Sequence, residues 1–377
     1  MPNISKIIKS KLILKKIFNN ISRKRSLKIL RHNKEIQTKI DIDINDYKDY
    51  TQIEIEIIPI PKTYGHFLNI PNDTYQSYFH IYFNDNKEEI DIFDIDENDK
   101  IDKIKVLIDY QVQNLSELFK EINCIKSIKF IQFYQRNITN MSHMFYHCSA
   151  LEELNLDNFT TNKVKNMSYM FNGCTKLKKL NLSKFNTSNA TDMSHMFSDC
   201  ESLKELNVTN FNTENVVDMN HMFEECYLIE ELDLSNFKTS KLINMSHMFQ
   251  GCTALKKINL SNFNTDNVTD MTCLFDGCES LTEINLDNFN TINVIDMSHM
   301  FERCSRLEKL NLDNFDTNKV NNISYMFWGC SGLNELNLKN FSINESVSTN
   351  CMFSRCKGEL KNKMENNFKI LKEKRFK

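Results

Sequence analysis

Apolar residues recur along this chain at a fixed interval of 26. A Met-Ser-x-Met-Phe pattern, with small variations, opens at Met141, Met167, Met193, Met219, Met245, Met271, Met297 and Ile323. A worn copy opens at Leu115 (LSELF) and a truncated one at Thr349 (TNCMF), both on the same register. A register that runs for more than 230 residues without an insertion requires each unit to stack on the last in one geometry. That predicts a solenoid.

Within a unit, the segment Leu177-x-x-Leu180-x-Leu182-x-x-Phe185 alternates apolar and polar positions. Period two turns Leu180 and Leu182 inward and Lys179, Asn181 and Ser183 outward, as in a short parallel strand. The other half of each unit begins with Asn140, Asn166, Asp192, Asp218, Asn244, Asp270, Asp296 or Asn322. Such side chains accept the first free amides of a helix, so a helical turn is expected to start there. Gly173, Gly251, Gly277 and Gly329 share one position just before a Cys, where a left-handed residue ends a turn without a Cβ clash.

Two phenylalanine columns follow the same period. Phe145, Phe171, Phe197, Phe223, Phe249, Phe275, Phe301 and Phe327 form one; Phe159, Phe185, Phe211, Phe237, Phe263, Phe289, Phe315 and Phe341 form the other. Both are expected in the core. A single unit holds too few apolar side chains to offset the entropy of ordering its backbone, so only the stack is expected to be stable.

These in-phase Met, Phe, Cys and Leu columns resemble the BspA-like family of leucine-rich repeats, whose 26-residue units read MSxMFxxCxxLxxLxLxxF. The resemblance covers about 115 to 356. It implies an α/β solenoid with a parallel sheet on one face, and binding to other proteins rather than chemistry.

The remaining chain divides by composition. Residues 1–40 form a basic segment, 41–114 an acidic one that alternates like β-structure, 115–356 the repeats and 357–377 a basic tail. Up to residue 39 there are twelve Lys or Arg against one acid, and from 40 to 110 seventeen acids against six bases. All four prolines, Pro2, Pro59, Pro61 and Pro71, precede the repeats. QIEIEII, YFHIYF, EIDIFDI and KIKVLIDY read as four strands, expected to cap Leu115, Leu118 and Phe119 at the open end of the stack.

In the basic segment Leu14, Ile17, Phe18 and Ile21 fall on one helical face. The string LILKKIFNNISRKRSLKIL resembles an F-box, in which such a helix docks on a ubiquitin-ligase adaptor, although the leading Leu-Pro and trailing Trp are missing. The plain alternative is a helical cap. With no uninterrupted apolar run of a secretory signal and no stretch of 18 apolar residues, the expected compartment is the cytoplasm.

Candidate chemistry changes the picture little. Cys148, Cys174, Cys200, Cys226, Cys252, Cys278, Cys304, Cys330 and Cys356 recur with the repeat and read as reduced core thiols. His143, His195, His221, His247 and His299 share a position with Tyr169, Tyr325 and Cys273, which reads as an aromatic surface ladder rather than a metal site. Asp94-x-Asp96-x-Asn98 and Asp41-x-Asp43-x-Asn45 begin like calcium loops but lack the glycine and the closing glutamate. No nucleophile–base pair or phosphate loop stands out, so no catalytic residue, metal or cofactor is expected.

A net charge of -3 and a nearly neutral repeat face argue against nucleic acid. The candidate partner surface is the outward side of the strands: Glu153, Asn155, Lys179, Asn181, Glu205, Asn207, Glu231, Asp233, Lys257, Asn259, Glu283, Asn285, Lys309 and Asn311. The leading expectation is a non-enzymatic protein-interaction scaffold. The alternatives are an F-box-like substrate receptor, with Leu14, Ile17, Phe18 and Ile21 on the adaptor, and a surface adhesin.

Overall fold

A computed structural model describes residues 52–70, 73–109, 112–133, 137–342 and 346–374, with side chains as far as 366 except at 73 and 74. The helical face of Leu14, Ile17, Phe18 and Ile21, with the F-box reading built on it, lies outside the described residues, as do Asp41, Asp43 and Asn45.

The first strand, β1 (Ile53–Pro59), alternates as its sequence does, with Ile53, Ile55 and Ile57 fully buried. A short β2 (Gly65–His66), a 3-10 helix (Asp73–Tyr78), β3 (Phe79–Phe83), β4 (Asp94–Ile95) and β5 (Ile104–Ile108) follow. Three of the four expected strands therefore form over much of their length. EIDIFDI instead forms only the two-residue β4, paired with β2, and a single bridge from Ile90 to Ile81.

The longest strand, β6 (Ile125–Phe133), joins cap to solenoid. It runs antiparallel to β1 on one side and parallel to β7 (Glu153–Asn155) on the other, in a sheet ordered β3-β5-β1-β6-β7. Its Ile125, Ile128, Phe130 and Phe133 occupy the places that Leu151, Leu154, Leu156 and Phe159 hold one unit later, and all are buried. It is the strand of the worn first unit. Leu115, Leu118 and Phe119 are fully buried beneath this end, and the Asn69 amide donates to the Leu118 carbonyl at 2.8 Å.

Strands β8 (Lys179–Leu180) and β9 (Glu205–Leu206), β10 (Glu231–Asp233) and β11 (Lys257–Asn259), and β12 (Lys309–Asn311) and β13 (Glu335–Asn337) pair in parallel, each residue facing its counterpart one unit on. Leu180 and Leu182 are 4% and 1% exposed while Lys179 and Asn181 are open to solvent. The fold is the expected leucine-rich-repeat solenoid.

The second half of each unit is not helical. Met141, His143, Phe145 and His147 donate their amides to Asn166, Ser168, Met170 and Asn172 of the next unit, at 2.7 to 3.0 Å. Met144, Tyr146 and Cys148 donate to carbonyls three residues back. A helix sends every amide four residues back along its own axis; here alternate amides point across to the neighbour. The interruption comes from positive φ at His143 (56°) and again at His147 (52°), a pattern repeated along the stack and met by glycine at Gly173, Gly251, Gly277 and Gly329. The Asn and Asp side chains do accept an amide, as Ser142 to Asn140 at 3.0 Å. That bond closes an Asx turn rather than a helix cap. Parallel bridges link these residues without a break from Asn114 to Ser348.

The core is columnar. Ten phenylalanine rings from Phe119 to Phe353 stack at centroid separations of 5.4 to 5.8 Å, within the offset-stacking range. At the far end Met352 and Phe353 are buried, followed by α1 (Gly358–Lys374), which buries Leu360 and Met364. The basic tail thus opens as a helix with an apolar face.

The cysteine column packs as thiols. Each sulfur donates to the carbonyl of a Phe 29 residues earlier, as Cys174 to Phe145 at 3.2 Å and Cys252 to Phe223 at 3.1 Å. Burial pushes the Cys252 thiol up to about 12 and other column thiols well above their ordinary value. Only the thiolate attacks an alkylating agent, so iodoacetamide at about pH 8 should modify exposed Cys351 first and leave the eight buried column thiols until denaturant is added. Peptide mapping that finds most of them labelled in native protein would show the column facing water.

Candidate functional site

The strand side presents the fourteen candidate residues in two columns. In the first, Lys257 Nζ lies 3.4 Å from Glu231 and Lys309 Nζ 2.9 Å from Glu335. These side chains are 64 to 74% exposed, so the pairs add little stability and their charges remain available.

The second column is partly committed to the fold. Asn155, Asn181, Asn207, Asp233, Asn259, Asn285 and Asn311 each accept, through Oδ1, the amide two residues further on, at 2.8 to 3.2 Å. Each closes the turn that follows the strand position of its unit, although at Asn285 that position forms no strand. Asn259 Nδ2 also donates to Asp233 at 3.1 Å. Between the columns, Glu231, Lys257, Asn259, Glu283 and Asn285, with Ile258 and Ile284, line an open concavity of about 600 Å³.

On another side runs the histidine column. His143, Tyr169, His195, His221 and His247 stack at 4.6, 4.1, 4.2 and 4.3 Å, their planes within 10° of parallel. His299 stacks on Tyr325 at 4.9 Å. All occupy positive φ, a region where His is enriched among residues with a Cβ. Burial, and then the neighbouring His221 and His247, push the His195 imidazole down to about 4, so it is neutral at pH 7. His221 Nδ1 lies 2.9 Å from Glu224 Oε2. Burial raises the Glu224 carboxyl, but His221 and Ser198 outweigh it and hold the group below its ordinary value.

One structural column escaped sequence reasoning. Thr161, Thr187, Thr213, Thr239, Thr265, Thr291 and Thr317 are at most 2% exposed. Every one donates its hydroxyl to a backbone carbonyl 25 residues on, at 2.8 to 3.1 Å. All but Thr291 also accept the amide of that same residue, at 2.7 or 2.8 Å. The signal was present, since a Thr stands two residues after each second-column Phe from Phe159 to Phe315.

Among described residues no helix is long and apolar enough to cross a membrane. No curated protein matches the chain. A leucine-rich repeat protein from Bacteroides ovatus ATCC 8483 is similar at 20% identity over 64% of this chain and 78% of its own, with a TM-score of 0.20. Residues 113–231, 203–285 and 255–368 each match the family described as Mycoplasma protein of unknown function, DUF285. Those overlapping matches take in the whole BspA-like repeat array and more than half of the chain, which belongs to this family.

Proposed function

We propose that this protein is a non-enzymatic scaffold that binds another protein on the strand side of its solenoid. The observation carrying this reading is the open concavity around Lys257, flanked by exposed columns whose charges are only weakly paired. A rigid stack of this kind offers a preorganised surface, so little ordering entropy is lost on docking. Charges at the centre, Glu231, Lys257 and Glu283, would steer and register the partner, while half-buried Ile258 and Ile284 supply apolar contact. The cytoplasm is the compartment proposed, in keeping with a column of thiols engaged with carbonyls. A free-thiol count on protein taken directly from its source cells checks that placement, and oxidised column cysteines would argue against it.

A photo-crosslinker placed in turn at Lys257 and at exposed Lys165, away from the strands, tests the surface. The expected result is a discrete crosslinked protein from Lys257, absent from Lys165, and weakened roughly tenfold by reversing both Glu231 and Glu283. Equal yields from both positions, or crosslinking from Lys165 alone, would remove the strand side as the binding surface.

A further inference from the structure

Two adjacent units bring two imidazoles and a carboxylate together beside the histidine stack. His195 is the third residue of one unit; His221 and Glu224 belong to the next. One potential ligand atom from each lies within 4.8 Å of the others, all three residues being half-buried, and this is the one such group of three among the described residues.

Two details distinguish the cluster from ordinary stacking. The Nδ1 of His221 is shut off from solvent and makes no hydrogen bond of normal geometry, although Glu224 Oε2 stands 2.9 Å away. Glu224 is held in place by the Ser198 hydroxyl, which donates to Oε2 at 3.0 Å. Outer partners of this kind orient a carboxylate toward a metal. The next imidazole, His247, has its Nδ1 engaged with Gln250 at 2.6 Å and stands outside this group of three.

We propose that His195, His221 and Glu224 form a binding site for a divalent transition metal of the zinc type, bridging two units and leaving a fourth position for water. Two nitrogens and one oxygen match the ligand preference of zinc and its neighbours, whereas calcium and magnesium require mainly oxygen. Metal–ligand bonds of about 2.1 Å put tetrahedral ligand atoms roughly 3.4 Å apart. The three atoms must therefore draw together, and the two parallel rings must tilt so that their in-plane lone pairs converge. Binding thus exchanges the stacking of His195 on His221 for coordination. Because the ligands come from successive units, a bound ion clamps the stack and raises its melting temperature by mass action.

The test uses tag-free full-length protein stripped with chelator and titrated calorimetrically with zinc chloride. Replacement by Tyr suits the histidines, because Tyr169 and Tyr325 already occupy this column at positive φ. The expected result is one zinc per chain, with affinity falling roughly 30-fold or more in each of His195→Tyr, His221→Tyr and Glu224→Gln. His143→Tyr, in the same column but outside the set, should stay within about threefold. Circular dichroism establishes that each variant is folded, and Glu224→Gln decides the matter if a ring substitution unfolds the chain. No heat of binding up to about 100 µM zinc, or binding that survives all three substitutions, would overturn the proposal.

Discussion

Replacing Phe249 by Ala should cost roughly 3 to 5 kcal/mol, whereas Lys257→Ala should cost under about 0.5. Phe249 is fully buried and sits in mid-column, its ring 5.7 Å from Phe223 and 5.4 Å from Phe275. Truncation removes both ring contacts and leaves a cavity that the neighbouring units cannot close without breaking their cross-unit hydrogen bonds. Lys257 is 74% exposed and gives up only a solvated pair. In a solenoid each unit touches only its neighbours, so a defect in the middle weakens the coupling between two halves. Urea melts followed by circular dichroism should therefore show a lower midpoint and a broader or two-step transition for the Phe variant. Equal losses from both substitutions would contradict the inside and outside assignment of the repeat.

The columns were legible in the sequence because each inward position holds one chemical type per unit. A Phe that recurs every 26 residues can face only one way in a stack. The turn side was harder to read. Met-x-x-Met-Phe places apolar groups at i, i+3 and i+4, as a helix does, and the preceding Asn or Asp makes the same side-chain bond in an Asx turn as at a helix cap. What separates the two is the backbone at the third position. There His143, Tyr169 and their counterparts adopt positive φ, which glycine would announce and histidine does not.

The cap followed the same logic. QIEIEII alternates cleanly and forms β1, while EIDIFDI alternates as well but leaves Asp91 and Ile92 exposed. Alternation shows that a segment could form a strand, not that a sheet edge is free to receive it. Strand β6 was hidden for another reason: Ile128 and Phe130 replace the leucines that mark the motif, although they fill the same places. The strand-side residues could be placed by period alone. The turn-closing bonds of Asn155 and its counterparts could not, because an exposed Asn looks the same whether or not its Oδ1 is occupied. The His195, His221 and Glu224 cluster depends on one residue, Glu224, in a position that the period leaves variable.

The threonine column provides the second large effect, and its sign is informative. Thr239 is 1% exposed; its hydroxyl donates to the Asn264 carbonyl at 2.8 Å and accepts the Asn264 amide at 2.7 Å. Thr239→Val keeps the shape and adds apolar surface, so burial alone predicts a neutral or slightly stabilising change. It also strips both partners from one backbone group pair within a packed stack, and such losses cost about 1 to 3 kcal/mol each. With some water able to reach exposed Asn264, the net expectation is a loss of about 2 to 3 kcal/mol. Thr239→Ser keeps the hydroxyl and gives up one methyl, worth about 1 kcal/mol or less. The order should therefore be wild type, then Ser, then Val, the reverse of hydrophobicity for the two variants. Hydrogen exchange at the Asn264 amide should quicken in Val and stay near wild type in Ser, because the bond protecting it is retained only there. A Val variant as stable as wild type, with the Asn264 amide still protected, would mean that the column fills space and does not tie the units together.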